Sequence, residues 1–221
     1  MNNPQLIVML THNDYTVADA NSVFAACQDS QAMYWGAKEQ GIPHQELLQL
    51  FAAVKAAGKK SALEVVAYTE EEGLAGAKLA AKCGCDMLLG TGYFDSILEL
   101  CQAHHILYFP YVGQVSQRPS VLAGTLEDMA QQAAACVKKG AAGVNLLGYR
   151  YQGDGFSLSR SLVSQLNAPV CLAGGINSFS RLDAVKEIAP AYFTIGGAFF
   201  DRCFGDEIPQ QINAVCRYVA V

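Results

Sequence analysis

The stretch "CLAGGINSFSRL" (171–182) is followed, after a helix-length gap, by "FTIGGAFF" (193–200). Each starts as a short apolar run and stops on a pair of glycines, Gly174-Gly175 and Gly196-Gly197. A short apolar run bounded by turn residues reads as a buried strand. Ser178 is placed to cap a helix between the two. The unit is therefore strand, glycine turn, helix, strand, glycine turn, and the fold depends on whether it recurs.

It recurs along the whole chain. Apolar runs lie at "LIVML" (6–10), "AMYWGA" (32–37), "ALEVVAY" (62–68), "DMLLG" (86–90), "ILYFPYV" (106–112), "GVNLLGY" (143–149), "PVCLAG" (169–174) and "AYFTIGG" (191–197). Helical stretches separate them. "HQELLQLFAAVKAAG" (44–58) places Leu47, Leu50, Phe51 and Val54 on one helical face and closes on Gly58. "TEEEGLAGAKLAAKCG" (69–84) and "TLEDMAQQAAACVKKG" (125–140) open with a capping threonine and acids, and end on lysine and glycine. Near-continuous apolar strands alternating with helices make a parallel sheet covered on both faces. Eight such units in 221 residues read as an α/β fold, a single (β/α)8 barrel domain over 1–221. An open doubly wound sheet is the competing arrangement. The G-x-G-x-x-G turn expected after its first strand is missing, because that strand runs into "THNDYT".

Composition narrows the function classes. Apolar residues make up 52% of the chain and charged residues 16%, enough to bury a sizeable core. A net charge of −5 without Lys/Arg-rich runs gives no footprint for nucleic acid. No apolar run approaches the ~18 residues of a membrane span, and "MNNPQLIVML" lacks the pattern of a signal peptide. Eight scattered cysteines read as small buried hydrophobes in a reducing compartment, so a cytoplasmic protein is expected. "CGC" (83–85) has the wrong spacing for a zinc knuckle.

In a barrel, chemistry belongs at the C-terminal ends of the strands. The first strand ends in Thr11, His12, Asn13 and Asp14, the second in Lys38 and Glu39, and the third carries Glu64 among apolar neighbours. A carboxylate there is costly to bury unless paired, and Lys38 on the adjacent strand is its natural partner. Lys38 and Glu64 with Asp14 are the candidate catalytic groups, by proton transfer or through a lysine adduct. A structural ion pair, or an outward-facing Glu64, is the plainer alternative. Asp14 or Thr16 also suits a cap for the first helix. His12, Arg150 and Arg118 are candidate substrate contacts; Arg118 lies in the long fifth loop "GQVSQRPSVLAG" (113–124) and acts as a lid residue in this reading. Arg150 is equally placed to neutralise Asp154 or Glu64. His104 and His105 end a helix on the opposite face and read as structural. G-x-S-x-G and the P-loop are absent. No spacing demands a metal, although His12, Asp14 and Glu64 are free to converge.

The two glycine pairs make a candidate phosphate cradle, Gly174, Gly175, Ser178, Gly196 and Gly197, since backbone N–H groups must reach an anion unobstructed. Here "AGGI" followed by "IGGA" resembles the phosphate-binding barrels grouped with ribulose-phosphate binders: histidine-biosynthesis isomerases, sugar-phosphate epimerases and decarboxylases, thiamine-phosphate synthase and keto-deoxy-sugar-phosphate aldolases. The stretch from "GAKEQGIP" through "ALEVV" also resembles a small family of uncharacterised barrels. The resemblance implies a phosphorylated small-molecule ligand, a sugar phosphate, and a lyase, aldolase or isomerase reaction. No cofactor is required, although barrels binding flavin mononucleotide (FMN) use a similar cradle. A non-catalytic phosphate-ligand sensor is the alternative, and a homo-oligomer is compatible with either. Catalytic residues do not carry over. The D-x-K-x-x-D of the phosphate decarboxylases keeps Lys38 here but has Gly36 and Gly41 at the aspartates. Strand five has Pro110, Tyr111 and Val112 where the isomerases hold an acid, and strand six has Tyr149 and Arg150 where the aldolases hold a lysine.

Overall fold

The computed structural model describes residues 3–220; Met1 and Asn2, which open the segment read for a targeting signal, and Val221 lie outside the described residues. Eight parallel strands carry the fold. They are β1 (Gln5–Met9), β2 (Tyr34–Lys38), β3 (Lys60–Val65), β4 (Met87–Gly90), β5 (Leu107–Phe109), β6 (Val144–Leu146), β7 (Val170–Leu172) and β8 (Tyr192–Ile195). Their order, β6-β7-β8-β1-β2-β3-β4-β5, places the first strand in the middle and the fifth and sixth at the two ends. Those ends meet. Ala142 N–H donates to Tyr108 O at 3.0 Å and Asn145 N–H to Pro110 O at 2.8 Å, with a parallel bridge between Tyr111 and Asn145. The ring so formed is a (β/α)8 barrel, and it excludes the open doubly wound sheet.

The helices are α1 (Ala20–Cys27), α2 (His44–Ala56), α3 (Glu70–Cys83), α4 (Asp95–Ala103), α5 (Leu126–Lys139), α6 (Gly155–Gln165), α7 (Phe179–Ile188), a single turn α8 (Gly197–Phe200) and α9 (Ile208–Ala220). Their starts follow from the sequence. Thr69 and Thr125 accept the N–H groups of Glu72 and Asp128, and Gly84 and Gly140 close α3 and α5 in the left-handed region. No helix among the described residues is long and apolar enough to cross a membrane.

Period-two alternation divides the strand side chains between two cores. Leu6, Val8, Leu10, Leu63, Val65, Leu172 and Phe193 face the helices and join one large cluster with Trp35, Leu47 and Phe51. Ile7, Met9, Ala62, Met87, Leu89, Phe109 and Cys171 fill the barrel interior. The lumen is therefore packed mainly with apolar side chains beneath the mouth, and Asn145, in register with Cys171, is a polar residue fully buried among them. All eight cysteines are free thiols.

Two antiparallel hairpins rise from the C-terminal rim. One pairs Thr11–His12 with Tyr15–Thr16, directly after β1. The other, after β5, pairs Gln114–Ser116 with Val121–Ala123 and bridges Leu122 to Tyr151. These hairpins shape the mouth of the barrel.

Candidate active site

The hairpin after β1 places Asp14. Asn13 and Asp14 both take left-handed backbone angles, φ 50 and 67, which reverses the chain within two residues. Asparagine and aspartate are among the few non-glycine residues that tolerate this. Neither Asp14 nor Thr16 caps α1, whose N-cap is Asp19 without a side-chain bond. Thr16 Oγ1 instead accepts from Lys38 N–H and donates to Lys38 O, both at 2.8 Å, which ties the hairpin to the end of β2. Local capping chemistry is overridden here by a tertiary contact.

Lys38 and Glu64 occupy matching positions on β2 and β3 and both face the lumen. Lys38 Nζ lies 2.8 Å from Asp14 Oδ1 and 3.5 Å from Glu64 Oε2. All three side chains are 7–8% exposed and all three line the cavity at the mouth. Burial alone would lift the Asp14 carboxyl, but the charge and hydrogen bond of Lys38, the Ser120 amide and Arg150 together hold it below the usual range. Burial would likewise depress the Lys38 ammonium, and the charges of Glu64 and Asp14 overcome that and raise it. Lys38 is thus a protonated acid at neutral pH, clamped between two carboxylates. Tyr111 completes the group by donating to Glu64 Oε1 at 3.0 Å; burial first, and then the Glu64 charge, push its phenol well above the ordinary range.

The cavity beside these groups measures about 340 Å³. Both glycine pairs line it, together with Ile176, Asn177 and Ala198. Among the described residues, the N–H groups of Gly174, Gly175, Ile176, Asn177, Gly197 and Ala198 have no backbone or side-chain acceptor. Gly175 and Asn177 are exposed and Gly174 and Gly197 half-buried, so these donors are left to solvent or to a ligand in the cavity. Ser178 does not line the cavity: its hydroxyl accepts from Arg181 N–H and caps α7. Gly174 has φ +84, and a Cβ on it would stand 2.6 Å from Arg150 Cγ. The first glycine therefore makes room for the stem of Arg150. Arg150 lines the cavity, half-exposed, with Nη2 3.5 Å from Asp14 Oδ1. It pairs with neither Asp154, which caps α6, nor Glu64.

Arg118 goes elsewhere. Its guanidinium donates to Glu39 Oε1 at 2.7 Å and to the carbonyls of Asp14 at 2.9 Å and Val66 at 3.5 Å, over the ring of Tyr15. It is a clasp that fastens the second hairpin across the mouth and is not part of the cavity wall; its neighbours Pro119 and Ser120 are. Tyr68 adds a second fastening by donating to Gln117 O at 2.8 Å.

His12 lines the cavity but stands apart from Asp14 and Glu64. Its Nε2 is 2.9 Å from Asp201 Oδ1, and its Nδ1 is 3.2 Å from Asn13 Nδ2. His12, Asp14 and Glu64 do not converge, and among the described residues no group of three His, Cys, Asp or Glu is arranged to hold a metal. The sequence reading missed Tyr111, Ser120 and Asp201. Alternation from lumen-facing Phe109 was the available signal for Tyr111. Asp201 had none, because its place depends on the turn of α8.

No family model and no curated protein matches the sequence. Solved structures match over nearly the whole chain. Orotidine 5'-phosphate decarboxylase from Lactobacillus acidophilus superposes with a TM-score of 0.69 at 10% identity, covering 100% of each chain. The tryptophan synthase alpha chain from Legionella pneumophila gives 0.68 at 13% identity, covering 98% of this chain and 92% of that one. An enzyme named as a 4-hydroxy-2-oxoglutarate aldolase gives 0.70 at 13% identity, covering 98% and 95%. At such identities the likeness establishes the barrel fold and leaves the reaction open.

Proposed function

We propose that this barrel binds a phosphorylated small molecule, a sugar phosphate, and moves a proton on it in an isomerase- or lyase-type reaction. The observation that carries the reading is Lys38, buried between Asp14 and Glu64 at the floor of a cavity rimmed by unpartnered backbone amides. Free amides with Arg150 beside them suit a phosphate. The floor suits the reacting carbon: Lys38 donates a proton, Glu64 removes one, and Asp14 orients the lysine.

Proton delivery is favoured over a carbonyl adduct. An adduct needs the neutral amine, and two carboxylates keep Lys38 charged. The chemistry also needs nothing beyond the chain, since donor and acceptor are both side chains. The departures from the decarboxylase pattern fit the same account. A Cβ at Gly36 would strike Met9 Sδ, and one at Gly41, φ +119, would strike the backbone of Thr16. Aspartates have no room at those positions, and Asp14 and Glu64 supply the two carboxylates from other elements.

Incubation with aldose and ketose phosphates in deuterated water tests the reading. Deuterium is expected to enter at carbon next to the carbonyl of at least one substrate, and to stop entering with Lys38→Met or Glu64→Gln. Anion binding without exchange or turnover for any member of the panel would leave a ligand sensor and sink the catalytic reading. Borohydride trapping that adds mass at Lys38 would restore the adduct.

A further inference from the structure

The cradle has a charge problem that His12 and Asp201 address. The charged groups on the cavity wall around His12 are Asp201 after α8, Asp14 in the first hairpin, Lys38 on β2, Glu64 on β3 and Arg150 after β6. Two cations stand against three carboxylates, a formal charge of −1 with His12 neutral. With His12 neutral, the side chains of that wall offer an incoming anion no net positive charge.

Asp201 stands close to the free amides. A Cβ on Gly197 would lie 3.4 Å from His12 Cδ2 and 3.8 Å from Asp201 Oδ2, both ordinary contact distances. Of the four cradle glycines, this one faces the most open space. The carboxylate at its edge is held by His12 Nε2 at 2.9 Å, and the Asp201 backbone N–H donates to Gly197 O at 2.8 Å. His12 is 36% exposed and Asp201 59%, so water supplies and removes protons freely. In the neutral ring Nε2 carries the hydrogen and donates to Asp201, while Nδ1 accepts from the Asn13 amide. A second proton goes onto Nδ1, and Asn13 turns its amide so that the carbonyl oxygen accepts.

We infer that the His12–Asp201 pair sets the charge of the anion site, so that the barrel takes up its anion together with a proton on His12. The inference rests on the reading of the glycine loops as an anion cradle. Histidine is the residue type that changes charge between about pH 5 and 8. When His12 gains a proton the formal charge of the wall becomes zero and Asp201 is neutralised in place. The bound anion in turn favours the imidazolium, because linkage runs both ways. Asp201 thereby acts as a specificity residue. It disfavours a dianion presented alone at alkaline pH, and it offers an acceptor to a hydroxyl carried next to the phosphate.

Sulfate is the probe, since its charge is fixed across this range whereas that of phosphate is not. Calorimetric titration of the full chain with sulfate is expected to show binding that tightens on going from about pH 8 to about pH 6, by up to about tenfold per pH unit. Titrations in two buffers of different ionisation enthalpy are expected to show proton uptake on binding. His12→Gln is expected to abolish both effects. Asp201→Asn is expected to bind sulfate several-fold more tightly at about pH 8. Both side chains lie at the rim, and unchanged thermal unfolding of each variant checks that the fold is intact. Sulfate binding with equal affinity at both pH values, or an unaltered pH dependence in His12→Gln, overturns the inference and leaves the cradle standing. No sulfate binding at either pH overturns both.

Discussion

Lys38 and Glu64 sit in register on adjacent parallel strands, with Nζ 3.5 Å from Oε2, and a second carboxylate, Asp14, closes on the same ammonium from 2.8 Å. Removing the lysine leaves Glu64 with no cation and Asp14 with only the more distant Arg150. Lys38→Met keeps the volume and deletes the charge. Breaking a buried ion pair from one side costs about 3–5 kcal/mol, and urea unfolding at neutral pH is expected to show a loss of that size. Adding Glu64→Gln to Lys38→Met is expected to recover part of it. A single variant as stable as the wild type would contradict this electrostatic account of the floor.

The same pair fixes the pH dependence of stability, with opposite signs at the two ends. Burial works to raise the Asp14 carboxyl, yet Lys38, Ser120 and Arg150 hold it below its ordinary 3.8. Its stabilisation is present above that value and is lost as pH falls through the depressed one. Burial works to lower Lys38, yet Glu64 and Asp14 raise it above 10.5. That stabilisation is present below 10.5 and is lost as pH rises through the elevated value. Difference curves of unfolding free energy against pH are expected to show Asp14→Asn flattening the acid limb and Lys38→Met the alkaline limb. A difference curve for Asp14→Asn that changes only above neutral pH would have the wrong sign.

The barrel was legible in the sequence because parallel strands covered on both faces read as unbroken apolar runs, and eight of them alternate with helices. The adjacency of Lys38 and Glu64 followed from strand order alone. What escaped was set by contacts between distant parts of the chain. Asp14 looked like a helix cap because capping is a local signal, but its partner lies 24 residues on. Asp201 meets His12 across 189 residues through one turn of α8, with no local pattern to mark it. Arg118 looked like a ligand contact because an isolated loop arginine has no visible partner in sequence; its partner, Glu39, comes from the end of β2, 79 residues earlier.

That clasp has its own consequence. Arg118 reaches Glu39 and two backbone carbonyls at once, a use of the planar guanidinium that an ammonium does not reproduce. Arg118→Ala leaves Glu39, 14% exposed, without its partner, a cost of about 1–3 kcal/mol. The hairpin 114–123 is expected to loosen, and limited proteolysis to cut within it several-fold faster. Arg118→Lys is expected to restore little of the protection. Wild-type cleavage rates in Arg118→Lys would show that charge alone fastens the hairpin.

Gly174 separates two reasons for a glycine that are usually confounded. Its φ of +84 disfavours any side chain, and a Cβ there would stand 2.6 Å from Arg150 Cγ. Gly174→Ala is expected to cost about 1–3 kcal/mol from backbone strain together with the clash. In the Arg150→Ala background the clash disappears and only the strain is left. A double-mutant cycle is therefore expected to give a coupling of at least about 0.5 kcal/mol, with Gly174→Ala less damaging once Arg150 is truncated. Sulfate affinity separates the ligand from the fold in the same four proteins. Arg150→Ala is expected to weaken sulfate binding by removing a cation from the cavity wall, whereas Gly174→Ala weakens it by displacing that same side chain. If the two losses of affinity simply add, Gly174 acts on the anion through its own backbone and not through Arg150.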